Sequence, residues 1–150
     1  MEWVSNLKNG GAQENSSSGE TLFGFEGKNI MTKRLYYADS YLKEFSGTVL
    51  ECRQIDTKPA VVLDRTAFYP ESGGQLHDTG MLNDAHVLNV LEDESGAIVH
   101  VLDRQIPAGA VTGRIDWARR FDHMQQHTGQ HILSQAFIAV AQAQTLSFHM

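Results

Sequence analysis

The sequence has one cysteine, Cys52, among its 150 residues. It therefore forms no internal disulfide and builds no zinc site from two or more of its own thiolates. Long apolar runs are missing too. The longest, Ala136 to Ala141, falls far short of the ~20 residues that a membrane span needs. The N-terminus lacks the basic flank and apolar core of a secretory signal. Together these absences predict a reducing, cytoplasmic setting and no membrane partner. An excess of positive charge is also absent. With 12 Lys and Arg against 18 Asp and Glu, the net charge is −6, which excludes a surface that binds nucleic acid all over. Any such contact runs through a local patch, for which Arg104, Arg114, Arg119 and Arg120 are candidates. Ordinary solvated charge is the simpler reading of that cluster.

What is present suits one domain or two small ones, with 41% hydrophobic residues to build a core. Residues 1–30 stand apart. They carry Gly10-Gly11 and the run Asn15 to Gly19 without a sustained period, so they are expected to be a disordered leader or extension. From Ser46 to about Asp116 short β runs alternate with turn residues. Thr48 to Cys52 and Val61 to Leu63 flank Asp56-Thr57-Lys58-Pro59, and Val87 to Leu91 and Ile98 to Leu102 flank Asp93 to Gly96. A last run covers Ala110 to Ile115. This spacing predicts a small antiparallel barrel or sandwich. From Trp117 to Gln144 there is no proline and only Gly129, and Ile132, Leu133, Ala136, Phe137 and Val140 recur at helical spacing. That predicts an amphipathic helix capped by Asp116 or Asp122. A strand is expected to begin at Thr145, and the chain then ends as though cut within a domain.

Two motifs carry chemistry. His123, His127 and His131 are spaced four apart, which places them on one helical face. Two imidazoles at that spacing can reach one metal ion, although in an arbitrary helix such a pair arises more often by chance. Thr128 follows His127 where a metalloprotease would carry glutamate, so the peptidase reading is rejected. His123 has a simpler role open to it beside Asp122. The second motif is Thr66 to Gln75, TAFYPESGGQ. Its glycines, Gly73 and Gly74, let backbone approach a ligand and leave Gln75 projecting from a tight turn. A plain hairpin connection explains a Gly-Gly pair alone, but less readily the whole ten-residue string.

The chain resembles the editing domain of alanyl-tRNA synthetase and the free-standing AlaX proteins. The resemblance rests on Thr66–Gln75, Arg119–Leu133 (RRFDHMQQHTGQHIL) and Thr145–Met150 (TLSFHM), in that order. Leu35-Tyr36-Tyr37, Tyr41-Leu42 and Gly47-Thr48-Val49 also fit longer AlaX proteins. The implied fold is α+β. A translation-protein-type β-barrel over 31–116 bears the Gly-rich loop, and the start of an alanyl/threonyl-tRNA-synthetase-like editing domain occupies 117–150. The implied activity is hydrolysis of serine, and in some members glycine, from mischarged tRNA(Ala), with no DNA partner. Residue by residue, His127 and His131 match a zinc-ligand pair, whose second Cys-xxx-His pair is expected beyond Met150. Gln75 matches a glutamine near the active site, and Thr145 a threonine that contacts the serine hydroxyl. Gly73, Gly74, Arg119 and Arg120 are the candidate contacts to tRNA. With two zinc ligands lacking, this stretch is expected to bind zinc poorly, to show little activity, and to self-associate through an exposed helix face. A non-catalytic tRNA-binding module and a zinc hydrolase of another ester or amide remain as alternatives.

Overall fold

The computed structural model describes residues 31–144. The expectations for residues 1–30 and for Thr145 lie outside the described residues. Strand β1 (Lys33–Arg34) leads through a 3-10 turn (Leu35–Tyr37) into the long β2 (Glu44–Ile55). Then follow β3 (Lys58–Leu63), β4 (Arg65–Thr66), β5 (Gly80–Leu82), β6 (Ala85–Glu92), β7 (Ile98–Leu102), β8 (Gly109–Ile115) and the helix α1 (Trp117–Ala141). Six strands close a barrel in the order β2-β3-β7-β6-β5-β8, every neighbouring pair antiparallel. Strands β1 and β4 pair in parallel beside it. The α+β expectation of a small barrel followed by a helix is met.

Alternation sets the inward face of β8, where Val111, Gly113 and Ile115 are buried between exposed neighbours. Gly113 is required by its partner on β2. A Cβ there would come within 2.2 Å of the Phe45 ring, which fills that part of the barrel. Strand β7 is buried on every residue and β3 on its last four, reading as continuous apolar runs rather than alternating ones. Their inward residues join the main core around Phe45, Phe68, Leu82 and Leu102. Their outward residues Ala60, Val62, Val99 and Val101 form a second cluster with Ala97, which precedes β7. Strand β5 is not among the expected β runs, because its three residues are too few to show a period. Its hairpin to β6 turns at Asn83, which adopts φ +52°.

One polar group sits in the middle of the barrel. His100 is fully buried, with Nε2 2.8 Å from the Thr66 hydroxyl and Nδ1 3.3 Å from the Val61 carbonyl. Burial pushes its pKa down to about 4, so the ring is neutral in the folded protein.

Helix α1 starts where Asp116 accepts a hydrogen bond from the Arg119 backbone N–H, 3.3 Å away. Asp122, the other candidate cap, lies inside the helix and accepts from the Gln126 amide. The helix ends at Gln142 in the left-handed conformation. Only its first two turns bury residues, Arg120 and His123. Beyond them Ile132, Leu133, Phe137, Ile138 and Val140 are exposed.

Candidate functional site

The Gly-rich loop follows β4. Ala67 and Phe68 enter the core, Tyr69 is half-buried, Pro70 is buried, and the chain emerges at Glu71. Ser72 and Gln75 exchange backbone hydrogen bonds of 3.2 and 3.0 Å across Gly73 and Gly74. Both glycines have positive φ, +59° and +84°, which is why a Gly-Gly pair stands here. The turn holds Gln75 at the wall of a cleft of about 210 Å³ that Tyr36, Tyr37, Tyr69, Arg34 and Glu92 also line. Burial pushes the Tyr36 hydroxyl up to about 12 and raises that of Tyr69, so both remain protonated. Glu92 bonds Arg34 and holds its guanidinium further above its ordinary value.

The loop and the helix are locked together by one buried ion pair. Arg120 has no exposed surface. Its Nε donates to both Asp78 oxygens at 2.9 and 3.0 Å, and its Nη2 to Asp78 and to the Ala67 carbonyl. Its Nη1 donates to the Ser40 carbonyl at 3.0 Å. Asp78 also accepts from the Tyr69 backbone N–H. Four of the five guanidinium N–H donors therefore end on protein, and Cζ lies 4.5 Å from the Tyr69 ring centre. Arg119 donates to the His77 carbonyl at 3.1 Å. The expectation that Arg119 and Arg120 face tRNA together is thus corrected for Arg120, which is sealed inside by its pairing with Asp78. Arg104 is paired with its neighbour Asp103. The four clustered arginines do not form one open cationic patch.

The three histidines divide. His123 is 6% exposed against the barrel, its Nδ1 has no hydrogen-bond partner, and burial followed by the nearby Arg119 charge lowers its pKa. His127 and His131 stand in solvent with Nε2 atoms 3.0 Å apart and rings crossed at 74°. Each four-residue step rotates a helix position by about 40°. All three therefore stay on one helical face, within about 80°, but the barrel covers only the first turns, so His123 is buried there while His127 and His131 reach solvent. A tetrahedral ion at about 2.0–2.1 Å from each nitrogen spans two ligand atoms about 3.3 Å apart. The observed 3.0 Å is within a small side-chain rotation of that, so the pair fits as half a ligand set. Among the described residues no group of three His, Cys, Asp or Glu gathers around one point, and Cys52 sits exposed on β2.

The cleft has no local signal in the sequence. In the sequence Tyr36 and Tyr37 belong only to the family-like opening Leu35-Tyr36-Tyr37. Arg34 and Glu92 are 58 positions apart and gave no local signal.

The family model described as tRNA synthetases class II (A) matches residues 12–119. An alanyl-tRNA editing protein AlaX-M from Pyrococcus horikoshii is 45% identical over 106 residues, covering 69% of this chain and 47% of that protein. AlaX-M from Methanosarcina barkeri is 43% identical over 125 residues, covering 76% and 50%. An alanine–tRNA ligase from Ignicoccus hospitalis is 43% identical over 106 residues, 68% of this chain and 11% of the ligase. The chain spans about half the length of the AlaX-M proteins it matches. On the family match over most of the chain and these identities, the chain belongs to the class II (A) tRNA synthetase family as an AlaX-type editing domain.

Proposed function

We propose that the protein carrying this chain is a cytoplasmic aminoacyl-tRNA deacylase that removes serine or glycine from mischarged tRNA(Ala). The observation that carries the reading is the exposed His127–His131 pair, 3.0 Å apart, on a helix bolted to a Gly-rich loop by Arg120 and Asp78. On this reading 31–116 is a barrel that presents Gln75, and 117–150 begins the editing domain.

The need for such a site is physical. A pocket shaped for alanine rejects a small added hydroxyl only weakly, and one missing methyl costs glycine only about 1–3 kcal/mol. A second site that hydrogen-bonds the hydroxyl discriminates far better, since an analogue lacking it leaves a buried polar group unpaired. Thr145 is the candidate for that test, and Gln75 offers a donor and an acceptor to the aminoacyl end. Gly73 and Gly74 allow close backbone approach of the tRNA 3′ end. Arg119, on the surface side of the helix start, is the cation left for a phosphate; Arg120 has no such role.

His127 and His131 would hold a zinc ion through their Nε2 atoms as neutral imidazoles, with the remaining ligands outside the described residues. Bound there, zinc supplies Lewis acidity or a fixed point for the ester. Arg120 and Asp78 keep the helix start fixed on the barrel, so the histidine pair and Gln75 hold a constant relation. The helix face of Ile132, Leu133, Phe137, Ile138 and Val140 gives the chain a tendency to self-associate, which light scattering measures.

The test is release of radiolabelled serine from Ser-tRNA(Ala) by the natural protein, beside Ala-tRNA(Ala). Serine release well above the buffer rate, with the alanyl ester spared, is expected. Equal loss of both esters, or loss of neither, would overturn the reading.

A further inference from the structure

The cleft beside the Gly-rich turn has an internal order that the hydrolytic reading does not use. Four groups stack from the inside outward. The buried Arg120 guanidinium lies 4.5 Å from the Tyr69 ring centre, and Tyr69 lies 4.0 Å from Tyr36 at 31°. Tyr36 then meets Tyr37 edge to face at 4.9 Å. The first members are fixed by the Asp78 pairing and by burial, Tyr36 being only 3% exposed. The last is open, with Tyr37 74% exposed. A rigid ladder that ends in a bare aromatic ring is a stacking platform whose ordering is already complete before a ligand arrives.

The walls add hydrogen-bonding edges of both kinds. Gln75 carries an amide donor and acceptor, Arg34 donates, and Glu92 accepts. At about 210 Å³ the cleft is smaller than the ~300 Å³ at the low end of drug-sized pockets, so it admits one planar ring system. The cationic group at its rim is already paired with Glu92, which leaves little charge for phosphates. Planar, hydrogen-bonding at the edge, small, and not dependent on phosphate: these are the properties of a nucleobase.

We propose that this cleft binds one unpaired nucleobase of the tRNA 3′ end, stacked on Tyr37 and bonded along its edge by Arg34 and Glu92, which leaves Gln75 for the aminoacyl end. The inference rests on the tRNA reading above and gives the barrel its own contact with the substrate, separate from the histidine pair. By holding one base of the single-stranded end, the barrel limits where the next nucleotides travel and aligns the acylated terminus with the helix.

The experiment is fluorescence anisotropy with a labelled, uncharged RNA hairpin bearing a short single-stranded 3′ overhang, against the same hairpin with a blunt end. The overhang form binds and the blunt form does not compete. Tyr37→Ala weakens overhang binding by about 5- to 150-fold, the range of one base–aromatic stack at 1–3 kcal/mol. Tyr37→Phe and Tyr37→Trp retain it, and the thermal unfolding of all three matches the parent because the side chain is exposed. The stacking contribution, read as the ratio of parent to Tyr37→Ala affinity, stays nearly constant as salt is raised, whereas a lost phosphate contact would change it. Equal affinity of parent and Tyr37→Ala, or equal binding of blunt and overhang hairpins, overturns the proposal. Serine release that persists while Tyr37→Ala binds the overhang normally sinks the cleft assignment alone. Tyr37-dependent overhang binding without serine release sinks the hydrolytic reading alone.

Discussion

Arg120→Met is the most informative single perturbation of this fold. The substitution keeps most of the volume and removes the charge, leaving the Asp78 carboxylate buried at 1% exposure without its partner. It also strips donors from the Ala67 and Ser40 carbonyls. Breaking a buried pair by removing one partner costs about 3–5 kcal/mol, a large part of a total stability of about 5–15 kcal/mol. With a urea slope of about 2 kcal/mol/M, the unfolding midpoint falls by about 1.5–2.5 M. Equilibrium urea unfolding followed by far-UV circular dichroism measures it directly. The double variant Asp78→Leu with Arg120→Met removes both charges and recovers much of the loss, as apolar replacement of a buried pair often does. A midpoint shift under about 0.3 M for Arg120→Met, or a double variant weaker than both singles, would refute the view that this pair locks helix to barrel.

Further outcomes follow from other sites. His100 has a pKa of about 4 in the fold and about 6.5 when unfolded, so the unfolded chain binds more protons between those values. Its contribution is complete above pH 6.5 and is lost as pH falls toward 4, about 3 kcal/mol in all. His100→Gln should flatten the urea midpoint between pH 7 and 4.5, and an unchanged slope would count against a neutral buried ring. Gly113→Ala drives a Cβ into the Phe45 ring and should cost about 1–3 kcal/mol by thermal unfolding, partly regained with Phe45→Leu. Asp116→Ala removes the helix cap and should lower stability by about 1 kcal/mol in the same assay.

What the linear sequence disclosed follows physical lines. The strands with alternating burial, such as β8, were legible, and so was the helix from its apolar spacing. The Gly-Gly turn was legible because positive φ is demanded locally. The histidine pair was legible because four residues make one turn. The rest depends on partners distant in the chain. Asp78 lies 42 positions from Arg120, so two adjacent arginines looked like surface charge when the fold turns one inward. His123 shares the spacing of the other two but meets the barrel, whose extent no periodicity shows. The aromatic cleft assembles from β1, the 3-10 turn, the Gly-rich loop and the end of β6, and no single segment carries its pattern.

The central claim is most directly tested by single-turnover serine release from Ser-tRNA(Ala) with His127→Ala and His131→Ala in the natural protein. The account predicts that each lowers the rate by more than the ~10–100-fold seen when only the supporting partner of a metal ligand is lost, with tRNA affinity unchanged. Release at the parent rate with both imidazoles gone would contradict it.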